Sequence, residues 1–181
     1  DIAEAAKEAG VTAFVSKPLF MSELRAALTH QTLDPDAEDE AETAEAARRY
    51  RHAGKRVLLV EDNELNQEIA TAILEEAGLS VDVVEDGTDA VVRMGSADES
   101  QYDVILMDIH MPKMDGYTAT KEIRTLSNNK KANIPIIAMT ANAFEEDKKK
   151  AFEAGMNAHI AKPINIDVIL EVFDQVFADQ E

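Results

Sequence analysis

The chain has 181 residues and no cysteine, which excludes a disulfide framework, a thiolate metal site and a thiol nucleophile and makes a reducing cytosol the default setting. Lys and Arg number 18 against 36 Asp and Glu, and the net charge of −18 repels nucleic acid and anionic membrane surfaces while suiting a divalent cation. Hydrophobic residues make up 45% and aromatics 5%, enough for an aliphatic core, and no apolar run approaches the ~18 residues that a membrane span requires.

In chain order, an internal repeat comes first. Gly10-Val11-Thr12-Ala13-Phe14-Val15-Ser16-Lys17-Pro18-Leu19 matches Gly155-Met156-Asn157-Ala158-His159-Ile160-Ala161-Lys162-Pro163-Ile164 position by position. Each copy follows an acidic, Ala-containing helical pattern and precedes an amphipathic one. The second copy closes a complete domain, so residues 1–30 are expected to be the C-terminal fragment of a first, similar domain. Chance similarity of two strand–helix units is the alternative. The chain opens on Asp1 in mid-pattern, as a piece of a longer polypeptide would. Residues 31–54 are expected to be an acidic linker, helical in part. Asp34 is a candidate cap ahead of Pro35, with Asp36, Glu38, Asp39 and Glu40 following and Arg48, Arg49 and Arg51 at the far end, a distribution that complements the helix dipole. Its apolar positions are mostly Ala, so a solvated spacer is the reading preferred over a binding role for the acidic run.

From Lys55 the pattern alternates strand and helix. The wholly apolar run 57–60 predicts a strand covered on both faces. Residues 63–77 carry Leu65, Ile69, Ile73 and Leu74 at helical spacing and stop at Gly78. Strands follow at 81–84, 102–107, 134–139 and 158–161. Helices are expected at 87–94, 117–126, 143–154 and 166–177. Pro112 and Gly116 break the loop after the third strand. Five such units predict an α/β fold, a doubly wound five-stranded parallel sheet spanning residues 55–178.

In sheets of this kind ligands gather beyond the carboxyl ends of the strands. Glu61 and Asp62 follow the first strand, Asp108 the third, Thr140 the fourth, and Lys162 with Pro163 the fifth. Each alone is unremarkable, since loop acids are commonly solvated and a Thr there commonly caps a helix. Together they converge on one rim. Three clustered carboxylates raise one another's pKa unless a cation is present, and hard oxygen donors with room for water suit Mg²⁺. Asp108, central in strand order, is the natural nucleophile toward phosphorus. The metal and the Lys162 ammonium would neutralise the transferring group, and the Thr140 hydroxyl would donate to a phosphoryl oxygen.

These residues resemble the receiver domain of two-component response regulators. The resemblance rests on Val57-Leu58-Leu59-Val60-Glu61-Asp62-Asn63, on Met107-Asp108-Ile109-His110-Met111-Pro112-Lys113-Met114-Asp115-Gly116, on Met139-Thr140-Ala141 and on Ala161-Lys162-Pro163. It implies a flavodoxin-like (βα)5 fold and phosphorylation of Asp108 by a phosphohistidine. It further implies Mg²⁺ held by Glu61, Asp62, Asp108 and the backbone carbonyl of His110, phosphoryl contacts from Thr140 and Lys162, and a cis Lys162–Pro163 bond. The opening Asp62-Asn63-Glu64-Leu65-Asn66-Gln67 is similar to the C-terminal receivers of hybrid sensor histidine kinases, and Phe14 and Lys17 match the family's switch-aromatic and lysine positions in the first copy.

The resemblance implies a phosphorelay, with a histidine kinase and a histidine phosphotransfer domain as partners, a receiver dimer as a further option, and no nucleic acid or membrane contact by this segment. The segment would catalyse its own phosphorylation without being a kinase, its parent chain being a hybrid histidine kinase. A cytoplasmic setting is expected, with membrane anchoring left to the parent. Thr140 and His159 occupy the switch positions. His159 stands where the family places Tyr or Phe, and is read as a tolerated, half-exposed ring, against a polar switch that changes coupling or, in principle, a pH sensor. A degenerate receiver acting as a docking scaffold is the alternative. An aspartyl-phosphate phosphatase would place a second Asp where His110 stands, and a nucleotide or flavin module would need a Gly-rich turn where Glu61-Asp62-Asn63 stands.

Overall fold

The computed structural model describes residues 43–141 and 144–179. The expected first copy, with Phe14 and Lys17, and the linker up to residue 42 lie outside the described residues. Residues 43–49 are helical and exposed. From Arg48 onward the chain forms one compact unit.

That unit contains β1 (Arg56–Val60), α1 (Glu64–Glu76), β2 (Ser80–Val84), α2 (Gly87–Ser96), β3 (Val104–Asp108), α3 (Gly116–Arg124), the short α4 (Asn129–Ala132), β4 (Ile136–Thr140), α5 (Glu145–Ala154), β5 (Ala158–Ala161) and α6 (Ile166–Ala178). All strand pairs are parallel, in the order β2-β1-β3-β4-β5. The order reverses between β1 and β3, the topological switch point at which such sheets open a crevice.

The pleat divides the core in two. Leu58, Val60, Ile105, Met107, Ile136 and Ala138 face one way, into a cluster with Ala90 and Met94 of α2, Ala119 and Ile123 of α3 and Ala151 of α5. Val57, Leu59, Val104, Leu106, Ile137 and Met139 face the other, toward Ala70 and Leu74 of α1 and Ile169, Phe173 and Val176 of α6. Helices therefore cover both faces, and the central strands need apolar residues at every position rather than at alternate ones.

Side-chain caps start most of the helices. Asn63, Asp86, Asp115 and Asn165 each accept a backbone N–H from the first turn of α1, α2, α3 and α6. Such a cap stabilises a helix by roughly 1 kcal/mol. At the end of α5, Gly155 takes φ +99, a left-handed stop that glycine adopts without strain.

Some boundaries differ from the sequence expectation for identifiable reasons. β3 begins at Val104 because Asp103 turns its carboxylate onto the Arg56 N–H at 2.8 Å. β4 begins after Pro135, which has no N–H to donate to a ladder. Asp108 and Thr140 are the last residues of their strands rather than the first beyond them. The short α4 was not anticipated, since Asn129-Lys130-Lys131 carries no apolar periodicity. The compact unit begins before Lys55 because Arg51 and His52 bond Asp174 on α6, with nitrogen–oxygen distances of 2.6–3.0 Å. The His52 ring also packs on Phe173 and Phe177. No helix among the described residues is long and apolar enough to cross a membrane.

Candidate functional site

The parallel sheet delivers Glu61, Asp108, Thr140 and Lys162 to one rim, because each ends or follows a strand running the same way. Glu61, Asp108 and Thr140 are buried there, while Asp62 is exposed. One carboxylate oxygen from each of Glu61, Asp62 and Asp108 lies within 4.8 Å of the others. Lys162 crosses between two of them, its Nζ donating to Glu61 Oε2 at 2.6 Å and to Asp108 Oδ2 at 2.8 Å. The Lys162 backbone N–H donates to the Thr140 carbonyl at 2.8 Å, and the Lys162–Pro163 bond is cis.

Two buried acids beside one ammonium set the electrostatics. Burial pushes the Asp108 carboxyl up, and the hydrogen bond and charge of Lys162 offset this only in part, with Glu61 pushing the same way as burial. Burial alone would lower Lys162, but its hydrogen bonds to Asp108 and Glu61 and their charges outweigh it, and the ammonium is held above its ordinary range. Lys162 is therefore a fixed cation, and the rim retains excess negative charge. Three convergent hard oxygen donors, one of them exposed and able to exchange water, fit a small hard divalent cation.

The β3–α3 loop is drawn tightly over this rim. The His110 N–H donates to Asp108 Oδ1 at 3.3 Å, and the Gly116 N–H donates to the Ile109 carbonyl at 2.9 Å. Gly116 has no space for a side chain, since a Cβ there would overlap the Asp108 carbonyl oxygen. The His110 ring itself is exposed. His159 lies elsewhere, paired in register with Ala138, two residues back along β4 from Thr140. Its half-buried ring packs edge-on against Phe152 of α5 at 6.4 Å, and burial together with Lys148 lowers its pKa, Glu145 opposing.

Several supporting residues were not singled out in the sequence. The Asn66 side-chain amide donates to Glu61 Oε1 at 2.9 Å, and Gln67 Nε2 donates to the Glu61 carbonyl at 2.7 Å. Both oxygens of Glu61 are thus engaged, one by Asn66 and one by Lys162. The Asn63 cap, which accepts the Asn66 N–H at 3.1 Å, was the legible signal: it fixes the first turn of α1 so that residues 66 and 67 return over residue 61. Asp86 and Lys113, a second ion pair near the rim at 2.6 Å, carried no such sign.

Residues 57–174 match the family model described as the response regulator receiver domain. The chain is 42% identical over 120 residues to hybrid signal transduction histidine kinase L of Dictyostelium discoideum, an alignment covering 65% of this chain and 7% of that protein. It is 37% identical over 154 residues to probable histidine kinase 1 of Oryza sativa subsp. indica, covering 69% of this chain and 16% of that protein. The chain thus spans a small part of these relatives.

Among solved structures, the receiver domain of sensor histidine kinase PA1611 from Pseudomonas aeruginosa PAO1, with magnesium coordinated in its active-site cleft, superposes with a TM-score of 0.62. It shares 40% identity, over 70% of this chain and 99% of that one. The receiver domain of the histidine kinase CKI1 from Arabidopsis thaliana, complexed with Mg²⁺ and BeF₃⁻, gives a TM-score of 0.63 at 32% identity, over 73% of this chain and 95% of that one. A five-stranded parallel sheet with acids at its carboxyl rim, a family match over most of the compact unit and receiver relatives on both measures lead to one conclusion: the chain belongs to the receiver domains of two-component signalling.

Proposed function

We propose that this receiver takes a phosphoryl group on Asp108 from a phosphohistidine and passes the signal on within a phosphorelay. The observation that carries the reading is the Lys162 ammonium, held at 2.6 Å from Glu61 and 2.8 Å from Asp108 at the rim where Asp62 adds a third carboxylate. A scaffold that only docked would have no use for two acids buried side by side around one ammonium. Mg²⁺ bound by Glu61, Asp62, Asp108 and the His110 carbonyl would supply charge neutralisation for the incoming phosphoryl group. Asp108 supplies the nucleophile: a carboxylate oxygen forms the new P–O bond while the P–N bond to the donor imidazole breaks, leaving that imidazole to take a proton. Lys162 pairs with the phosphoryl oxygens once Asp108 is phosphorylated, and the Thr140 hydroxyl donates to another.

The output follows two routes. On α1, beside the acid pocket, Leu65 and Ile69 are 64% and 48% exposed one helical turn apart, an apolar stripe suited to a helical histidine phosphotransfer domain. On the opposite route, α5, β5 and α6 present His159, and exposed Phe144 and Phe152, as the face whose contacts change on phosphorylation. The parent is a hybrid histidine kinase, residues 1–30 are the end of a preceding receiver and the acidic stretch after them joins it to this one, in a cytoplasmic setting.

The test is direct. Purified protein incubated with Mg²⁺ and a small phosphodonor such as phosphoramidate should acquire an acid-stable, base-labile acyl phosphate, visible on a phosphate-affinity gel. Asp108→Asn should abolish it, because an amide oxygen is too weak a nucleophile toward phosphorus. Undiminished labelling of that variant would remove the proposal.

A further inference from the structure

Three carboxylates are buried among the described residues, and two of them, Glu61 and Asp108, belong to the acid pocket. The third is Asp86, which caps α2 by accepting the Asp89 N–H at 3.0 Å. Among the described residues a single non-glycine residue has positive φ, Lys113 at +62. The two features meet: Lys113 Nζ donates to Asp86 Oδ2 at 2.6 Å. We infer that Lys113 is a positioning residue, whose ion pair with Asp86 holds the β3–α3 loop in the strained turn that fixes the His110 backbone beside Asp108. The inference rests on the metal-dependent reading above and adds a residue to it.

The loop geometry shows what has to be held. The Met114 N–H donates to the Pro112 carbonyl at 2.7 Å, closing a three-residue γ-turn centred on Lys113. With a positive central φ this turn is the rare, strained form, and it persists only where surrounding structure over-determines it. Asp86 is a fixed anchor because it is buried and committed to the α2 cap. The loop also approaches that helix start closely: a Cβ on Gly87 would meet the Met114 carbonyl oxygen at 2.6 Å. Only glycine admits the loop backbone there. Lys113 then supplies the cation that draws the turn onto the buried carboxylate. The Lys113 hydrogen bond, and after it the Asp89 N–H, hold the Asp86 carboxyl below its ordinary range, so the pair is ionised at neutral pH. Three residues upstream of Lys113 lies His110, whose N–H bonds Asp108 at 3.3 Å and whose carbonyl is the proposed metal ligand.

Charge and position make opposite predictions here. Lys113 is a cation near an acid-rich rim in a chain of net charge −18. If it acted only through its field, neutralising it would strengthen Mg²⁺ binding. If it positions the loop, neutralising it weakens Mg²⁺ binding. Isothermal titration of the protein with MgCl₂ should give Lys113→Gln a dissociation constant raised roughly tenfold, the low end of the range for outer-shell partners of a metal site. Lys113→Arg should restore near-normal binding, and metal-free Lys113→Gln should show faster amide exchange at Gly116. Lys113→Gly relieves the backbone strain but deletes the ion pair, and should bind as weakly as the Gln variant. Unchanged or tighter Mg²⁺ binding by Lys113→Gln, or normal binding by Lys113→Gly, overturns the inference. Failure of the unaltered protein to bind Mg²⁺ would instead refute the proposed function.

Discussion

Two cations hold opposite ends of the same sheet, and they are held in opposite ways. Lys162, at the carboxyl rim, sits between two buried acids and its pKa is raised. Arg124, the last residue of α3, lies at the other end, where β4 and β5 begin. It donates to the carbonyls of Gly155, Ala132 and Ile134 and to Asn157 Oδ1, all at 2.8–2.9 Å. It meets no anion in that set, and burial lowers it to about 10, still charged at neutral pH. The planar fork of Arg matches several fixed carbonyls at once, as a Lys point charge could not. One end is therefore neutralised by dipoles and permanently satisfied. The other carries more carboxylates than its cation can balance, and that surplus suits a divalent cation.

Removing Arg124 should give the largest effect on stability. Arg124→Leu leaves three main-chain carbonyls without their donor and should cost about 3 kcal/mol in denaturant unfolding, while the folded protein still forms acyl phosphate. A loss below ~1 kcal/mol would mean that water replaces the guanidinium and that this end is not the structural one. Lys162→Ala comes next. In the absence of metal it sets Glu61 and Asp108 against each other with no cation between them, and should cost about 1–2 kcal/mol. Saturating Mg²⁺ should raise its melting temperature more than it raises that of the unaltered protein, and binding should persist while phosphorylation slows and uncouples from conformational change. Loss of Mg²⁺ binding in Lys162→Ala would reverse the assignment of roles at the rim.

A smaller effect on the fold is expected for Asp62→Ala. Asp62 is exposed, so stability should stay within about 0.5 kcal/mol. Mg²⁺ binding and phosphorylation should weaken together and recover in part at high Mg²⁺. Equal loss at every Mg²⁺ concentration would show that Asp62 acts on something other than the metal. A pH-dependent change lies away from both ends, where the Arg51 hydrogen bond holds the Asp174 carboxyl down, burial opposing and His52 assisting. A carboxyl whose folded pKa is below its unfolded one adds stability above the unfolded value, and loses it as pH falls through the folded one. The stability gap between the unaltered protein and Asp174→Asn should hold steady near neutrality and close below about pH 4. With this carboxylate half exposed, the gap should not exceed about 1 kcal/mol. A gap that widens in acid would mean that Arg51 is not its partner.

How much of this was legible beforehand divides along the same line. The rim acids, Thr140 and Lys162 could be placed together without coordinates because a parallel sheet brings the ends of its strands to one side. The central strands were legible for a related reason: helices on both faces demand unbroken apolar runs such as 57–60. At His159 the sequence marked a departure, while its half-buried packing against Phe152 emerged from how α5 lies on β5. The grip of Arg51 and His52 on Asp174 joins residues more than 120 positions apart, and neither segment carries a local sign of it.

By itself, then, the sequence determined the order of βα units, the parallel sheet and the identity of the groups at its rim. These follow from local periodicity and from strand direction, which are properties of short segments. The tertiary structure alone decided what fastens those segments: Arg124 on the carbonyls beneath β4 and β5, Asn66 on Glu61, and Lys113 on Asp86. A long polar side chain carries no mark of which distant group it will reach. Its partner is chosen only when packing brings a donor and a desolvated acceptor within hydrogen-bond distance, and leaving that acceptor unmet would cost more than ordering the side chain.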